Sequence, residues 1–396
     1  MDSSTKTLIH GLTQAELVAA CEAAGEKAFR AKQIWRWLYV QRATEWEALK
    51  NIPAALRSAL SSKYSIVPGT RLAVEGAAGE TRKILVGLGD GEAVEEVLIP
   101  AGDRRTVCVS SQVGCRFGCC FCATGQCGYK RNLEAGEMVG QLLLATSEYG
   151  ARPSNVVFMG MGEPFDNYDA VLKAVRIIND GEGLAIGARH ITISTCGIVP
   201  GIERLAGEGI QIELSVSVHA ADDALRSRLM PVNRKYPIEA LVAACARYAE
   251  RTNRIVTFEY TLVRDVNDSA VHARELATLM RRLPCRANLI PLSPVAGYAG
   301  APPLPETTDA FMGILSKAGL NVTLRVSKGG GINAACGQLR LRQGNPAHIG
   351  GKVFDPSRPT GDPQDHAVGR EGLSTRNLPA ARGQEENGGR QMGGER

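Results

Sequence analysis

From Thr106 onward, short apolar runs alternate with longer segments of helical period, and this alternation restricts the fold more than any other feature of the chain. The strand-like runs are 106–110 (TVCVS), 155–161 (NVVFMGM), 190–195 (HITIST), 211–219 (QIELSVSVH), 254–262 (RIVTFEYTL) and 286–291 (RANLIP). Between them, segments 134–148, 169–179, 238–251 and 269–282 carry apolar residues at helical spacing. Such repeated units imply a parallel sheet covered by helices. Right-handed crossovers of this kind can curl into a full or partial (β/α) barrel, with chemistry on the loops after the strands. Periodicity alone does not separate that barrel from a doubly wound open sheet.

The loop after the first of these strands holds Cys115, Cys119 and Cys122 in the run CRFGCCFC. Three thiolates on one short loop suit three corners of a [4Fe–4S] cube, which leaves the fourth iron open to a small molecule. The spacing resembles the signature of the radical-SAM superfamily, whose open iron meets S-adenosylmethionine (SAM). A zinc site is the rival, but it would want four ligands, usually as two separated pairs, and no second C-x2-C pair exists. Cys120 and Cys127 flank the triplet outside that spacing and read as structural, with Cys21, Cys196, Cys245 and Cys285.

Further signals fall at strand ends. The run MGMGEP closes the second strand, where Gly162 would let backbone approach a ligand and Glu163 would accept from an ammonium group. Taken alone it is a turn. Ser194 ends the third strand, and Ser217, Val218 and His219 end the fourth, offering hydroxyls and an imidazole at one rim. A lone histidine is by default a satisfied structural one.

Taken in order, CVSSQVGC (108–115), the cysteine loop, GYKRNL (128–133), GMGEP, HITIST (190–195), NLIP (288–291) and NAACGQL (333–339) resemble the RlmN/Cfr family of radical-SAM RNA methyltransferases over roughly residues 20–340. The resemblance implies an α/β fold: a partial (β/α)6 TIM-like radical-SAM barrel spanning 96–340, behind an N-terminal helical RNA-binding domain over 1–95. It implies a [4Fe–4S] cluster on Cys115, Cys119 and Cys122. It places SAM, two molecules per turnover, against Gly162, Glu163, Ser194, Ser217, Val218 and His219. Ser293 stands where the family pattern after NLIP has Asn, so a SAM contact there rests on the weakest match.

The implied chemistry is methylation of adenine carbon-2 in 23S rRNA and in tRNA. That carbon lies between two ring nitrogens and is no nucleophile, so direct displacement on a SAM methyl group should fail. The family solution methylates Cys336 first, then couples its S-methyl carbon to adenine by radical chemistry. Glu95 matches the base that removes the ring proton, and Cys108 the thiol that resolves the adduct as a transient disulfide with Cys336. Without the family pattern, Glu95 would read as a solvated carboxylate on a strand face, and Cys108 and Cys336 as small buried hydrophobes. A flavodoxin or ferredoxin would supply electrons to a monomer. The alternatives are methylation at carbon-8, or a non-enzymatic iron–sulfur or zinc protein that binds RNA; the latter has no use for a methylatable Cys336.

The ends differ from the middle. Thr13 and Glu16 form a capping box, and FRAKQIWRWLY (29–39) sets Arg30, Lys32 and Arg36 among Trp35, Trp37 and Tyr39. Basic residues interleaved with aromatics suit a nucleic-acid-facing helix, and equally an amphipathic helix with its rings in a small core. Residues 68–100 read as short strands about a turn at Gly89-Asp90-Gly91. From Ser357 there is no Phe, Tyr or Trp, and six Arg balance six Asp plus Glu, so 341–396 is expected to be a disordered tail. The net charge of +5 is compatible with an RNA partner. No charged-then-apolar leader and no long apolar run is present, and clustered cysteines in an odd total of 11 fit a reducing cytoplasm, with no membrane partner.

Overall fold

The computed structural model describes residues 6–295 and 297–325. The expected tail, Cys336 and the NAACGQL run lie outside the described residues. Ten strands form one sheet whose spatial order is the chain order: β1 (Thr70–Glu75), β2 (Arg82–Gly87), β3 (Ala93–Ala101), β4 (Arg104–Cys108), β5 (Asn155–Phe158), β6 (Ile191–Thr195), β7 (Glu213–Ser217), β8 (Val256–Leu262), β9 (Cys285–Pro291) and β10 (Val322–Leu324). From β4 to β10 every neighbouring pair is parallel, while β1 to β4 are joined antiparallel. Parallel neighbours need crossovers, and helices supply them. These are α4 (Ala135–Tyr149), α5 (Tyr168–Asn179), α6 (Val199–Ala206), α7 (Asp223–Leu229) with α8 (Ile238–Thr252), α9 (Ala270–Met280) and α10 (Pro305–Lys317). The edge strands β1 and β10 do not pair with each other, so the sheet is a partial barrel, as the family resemblance implies.

Sequence reading placed the six central strands and four of the helices to within a few residues. It did not place α6, α7, α10 or β10. All but α10 are short, and β10 carries only three residues. The strands expected over 68–100 are β1 to β3, and they extend the same sheet across the residue-95 boundary rather than forming a layer of their own.

In-register pairing sorts the side chains onto two faces. Val107, Val156, Ile191, Ile193, Leu214, Val216, Val256, Phe258, Ala287 and Leu289 share one face and belong to the main apolar core. The opposite parity gives Cys108, Thr192, Ser194, Glu213, Ser215, Ser217, Thr257, Glu259, Arg286, Asn288 and Thr323. Side chains alternate with period two along a strand, so these residues make a largely polar face, interrupted by Val157 and Ile290.

Before the sheet come α1 (Gln14–Ala23), α2 (Phe29–Tyr39) and α3 (Ala54–Lys63). The Thr13–Glu16 capping box forms on α1. On α2, Ile34, Trp35, Leu38 and Tyr39 are buried, and the Tyr39 hydroxyl donates to the His10 carbonyl at 2.9 Å. Gln14 donates to Asp180 (3.2 Å), Lys173 pairs with Glu16 (2.8 Å) and Lys32 with Glu182, which tie these helices to α5 and the loop after it.

One side chain breaks the apolar face. Glu96 pairs in register with Ile84, is 0% exposed, and neither carboxyl oxygen has a hydrogen-bond partner. Burial pushes its pKa well above the usual carboxylate range, and the nearby Glu148 carboxylate adds to this. The folded state therefore holds a proton that the unfolded chain releases near pH 4.5. This contribution to stability is full below that pH and is lost as pH rises. Glu96→Met should raise stability at pH 8 by about 1–3 kcal/mol, by removing an unsatisfied buried polar group. It should also flatten the fall in stability with rising pH, as read by urea unfolding across pH 5–8.

Candidate active site

The cysteine loop is a strand-to-helix excursion pinned at both ends. Gln112–Gly114 pairs antiparallel with Tyr129–Asn132, and Cys115 N–H donates to the Gly128 carbonyl at 3.0 Å. Gly114 has φ +81°, and a Cβ there would lie 1.7 Å from the Gly128 carbonyl oxygen, so no other residue fits. Inside the loop, Cys122 N–H donates to the Cys119 carbonyl (3.1 Å) and Cys120 N–H to the Leu229 carbonyl (3.1 Å). The Cys127 thiol donates to the Ala123 carbonyl (3.3 Å), and Cys120 packs among Phe121, Val263 and Tyr298.

The thiols of Cys115, Cys119 and Cys122 act on one another electrostatically. Burial, with Cys122 adding to it, pushes Cys115 up to about 12, and Cys119 is raised well above the usual thiol range by the same causes. Desolvated thiols such as Cys115 and Cys119, held beside a third, are costly to ionise unless a cation compensates. That donor set fits an iron–sulfur cluster, which would draw each to thiolate. Among the described residues no three His, Cys, Asp or Glu side chains converge as ligands of a single ion. A cube does not ask for convergence, because its thiolates bind three separate irons.

The GMGEP run is clasped to the start of the cysteine loop. Glu163 N–H donates to Gln112 Oε1 (2.9 Å), and Met161 N–H to Ser110 Oγ (2.9 Å). Gly162 has φ +100°, and a Cβ there would stand 2.5 Å from Gln112 Cβ. Gln112 Nε2 also donates to Asn132 and Asp166 (both 2.8 Å), and Asn167 Nδ2 donates to the Ser111 and Leu133 carbonyls. Glu163 is buried and accepts from Phe165 N–H (2.9 Å) and Cys196 N–H (2.7 Å). Burial raises its pKa against those two bonds. The Thr195 hydroxyl and the Cys196 thiol also hydrogen-bond to this carboxylate, so an ammonium donor would have to share or displace one of the four.

Ser194 and Ser217 lie on the polar face of β6 and β7, both partly exposed. Val218 is buried one residue beyond. His219 follows at φ +54°, and its Nδ1 accepts from Thr261 N–H at 2.9 Å. Burial, helped by the Arg226 charge, lowers its pKa to about 3. The ring is therefore neutral, with its proton on Nε2, and it meets Phe121 of the cysteine loop edge-on at 4.9 Å. Ser293 is partly exposed in the loop after β9.

Glu95 is not a solvated carboxylate. It is 2% exposed, on the polar-face parity of β3, and pairs with Lys83 (1% exposed) at 3.4 Å. Val97, two residues along on the same face, pairs in register with Cys108. Glu95 and Cys108 thus share one face of adjacent strands. On α2, Arg30 is engaged by Glu26 (3.4 Å) and by Gln33 (2.9 Å), and Lys32 by Glu182, while Arg36 is exposed. Arg30 and Lys32 thus make ion pairs within the protein, with Lys32 still exposed.

Sequence reasoning missed Lys83, Gln112 and Arg226. Lys83 had at most a weak signal: a lysine at the edge of the apolar run ILV, next to Arg82 and one strand from VEEV. Gln112 and Arg226 had none, because a single amide in a loop and an arginine on a helix ordinarily read as solvated.

The geometry agrees with known proteins. The Radical SAM superfamily description matches residues 109–277, and that of the ribosomal RNA large subunit methyltransferase N-terminal domain matches 8–66. A protein of Moorella thermoacetica named as a probable dual-specificity RNA methyltransferase RlmN is 49% identical over 349 residues, covering 85% of this chain and 98% of that one. One of Akkermansia muciniphila with the same name is 44% identical over 344 residues, covering 85% and 96%. The crystal structure of a radical SAM methyltransferase from Sphaerobacter thermophilus superposes with a TM-score of 0.81 at 48% identity, over 84% of this chain and 98% of that one. No helix among the described residues is long and apolar enough to cross a membrane. With these likenesses over both the N-terminal helices and the barrel, the chain belongs to the RlmN family of radical-SAM RNA methyltransferases.

Proposed function

We propose that this enzyme methylates carbon-2 of adenine in the peptidyl-transferase centre of 23S rRNA and in tRNA next to the anticodon, through a methyl-cysteine. It acts as a cytoplasmic monomer, uses two SAM per turnover and takes electrons from a flavodoxin or ferredoxin. The observation that carries the reading is the placement of Glu95 and Cys108 side by side on the polar face. A base and a resolving thiol are the two groups that release of a covalent RNA adduct requires. The names of the relatives, with their dual specificity, support the choice of rRNA and tRNA.

Cys115, Cys119 and Cys122 would hold the cluster, which when bound supplies the electron that cleaves SAM to a 5′-deoxyadenosyl radical. Glu163 would accept from the SAM ammonium, with Gly162 letting backbone approach. The hydroxyls of Ser194 and Ser217, the Val218 backbone, the Nε2–H of His219 and Ser293 would line the rest of the cofactor. Cys336, outside the described residues, would carry the methyl group. Glu95 would take the proton from adenine carbon-2. Cys108 would then attack the sulfur of Cys336, forming a disulfide as methyladenine leaves.

Nucleoside mass spectrometry on RNA from cells lacking and regaining this protein tests the product. 2-Methyladenosine should disappear and return, whereas 8-methyladenosine would reassign the carbon. Anaerobically purified Cys115→Ala/Cys119→Ala/Cys122→Ala protein should lose its iron and sulfide, and near-full retention would refute the ligand set. Cys108→Ala should build the adduct without releasing it, so the protein should purify crosslinked to RNA and fail to turn over. Normal turnover by an RNA-free Cys108→Ala protein would remove the resolving role.

A further inference from the structure

Helix α7 carries a buried cation whose hydrogen bonds are complete but go to no anion. Arg226 is 0% exposed. Its Nε donates to the Val218 carbonyl (3.1 Å), and its Nη1 to Asn233 Oδ1 (2.7 Å) and the Tyr236 carbonyl (3.4 Å). Its Nη2 donates to the Cys196 carbonyl (2.8 Å) and the Ser217 carbonyl (3.1 Å). A guanidinium has five N–H groups, so the fork is saturated, and every acceptor is a neutral carbonyl or amide oxygen. Asp223, at the exposed start of α7, accepts from Asn233 Nδ2 and Ile238 N–H instead (both 2.9 Å). A buried charge is retained where something balances it.

What lies beside this charge is the cysteine loop. Leu225, Leu229, Met230 and Val232 pack against Phe117, Cys119, Cys120 and Phe121. The Cys120 N–H bond to the Leu229 carbonyl fixes the loop to α7. The sulfurs of Cys196 and Cys119 are the leading electrostatic partners that offset the effect of burial on Arg226.

We infer that Arg226 is the fixed counter-cation of the iron–sulfur centre, setting the potential at which the cluster accepts its electron while holding the ends of β6 and β7 in place. The inference rests on the cluster assignment to Cys115, Cys119 and Cys122. Each electron taken from a low-potential one-electron donor adds a unit of negative charge to the centre. A cation in the same dry pocket stabilises the reduced state over the oxidised one and raises the potential. Arg226 touches no reacting atom, so this is a positioning and tuning role.

The test is a midpoint measurement on anaerobically reconstituted protein without SAM, by dithionite titration with redox mediators, followed by electron paramagnetic resonance of the reduced cluster. At unchanged iron content, Arg226→Gln should move the midpoint to more negative potential, and Arg226→Lys, which keeps the charge, should stay near the parent. An unmoved midpoint in iron-loaded Arg226→Gln overturns the inference. Should that variant fail to fold or load, Asp223→Asn decides. It removes a carboxylate whose charge acts on the guanidinium, so its midpoint should rise, and a midpoint that stays or falls overturns the inference. Failure of the underlying assignment shows separately, as iron retained by the triple cysteine variant.

Discussion

A parallel strand presents its side chains alternately to two sides, and in-register pairing passes that parity from one strand to the next. Everything at this site depends on that constraint. Because Cys108, Ser194, Ser217, Glu259 and Asn288 occupy matching parity, five strands from distant parts of the chain deliver polar groups to one surface. The antiparallel strands β2 and β3 continue the rule, bringing Lys83 and Glu95 to the same surface. A one-residue slip in any strand would send its functional group into the helix-packed core and an aliphatic side chain into the site. The apolar core therefore does more than stabilise the barrel: it enforces the register on which the polar face rests.

Polar groups gathered in a dry interior must satisfy one another, and here they do so through backbone. Glu163 binds two main-chain N–H groups, His219 one, and the Arg226 fork four main-chain carbonyls. Such bonds lock the strand-end loops more firmly than side-chain pairs would, because both partners belong to rigid elements. Cys196 shows the linkage, its N–H on Glu163 and its carbonyl on Arg226. The proposed cofactor face and the cation beside the cysteine loop are thus one hydrogen-bonded unit. Low dielectric keeps that unit's charges strong, which explains why His219 stays neutral next to Arg226.

The parts of this design legible in the sequence are those written in local pattern. The six central strands, four helices, the cysteine spacing and the capping box all depend on neighbours within about ten residues. The two-faced sheet was present too, since QIELSVSVH and RIVTFEYTL alternate polar and apolar residues. What local pattern does not hold is which polar residues end up dry. Glu95 and Glu96 are adjacent and chemically identical, yet one pairs with Lys83 on the polar face while the other is unsatisfied in the core. Only the strand register distinguishes them. Arg226 was invisible for the same reason. An arginine on a short helix is ordinarily solvated, and only the packing of α7 against the cysteine loop buries it.

The polar face also bears on which atoms surround the proposed chemistry. A carbon radical takes hydrogen readily from S–H and far less readily from O–H, because the S–H bond is much the weaker. A face lined with Ser and Thr hydroxyls therefore offers hydrogen bonds to a cofactor without offering hydrogen atoms to a radical. Aliphatic side chains supply abstractable C–H bonds, and in-register pairing sends most of them to the opposite face, though Val97, Val157 and Ile290 share the polar-face parity. Thiols are the hazard, and the chain has several beyond the proposed ligands. Cys127 and Cys285 are occupied by backbone carbonyls, and Cys21 and Cys245 are buried among apolar side chains away from the polar face. Cys108 alone among the sheet's cysteines combines the polar-face parity with a position at the end of a strand that leads into the cysteine loop. A thiol left in that place is a liability unless the reaction uses it, and the proposed resolving step would be such a use.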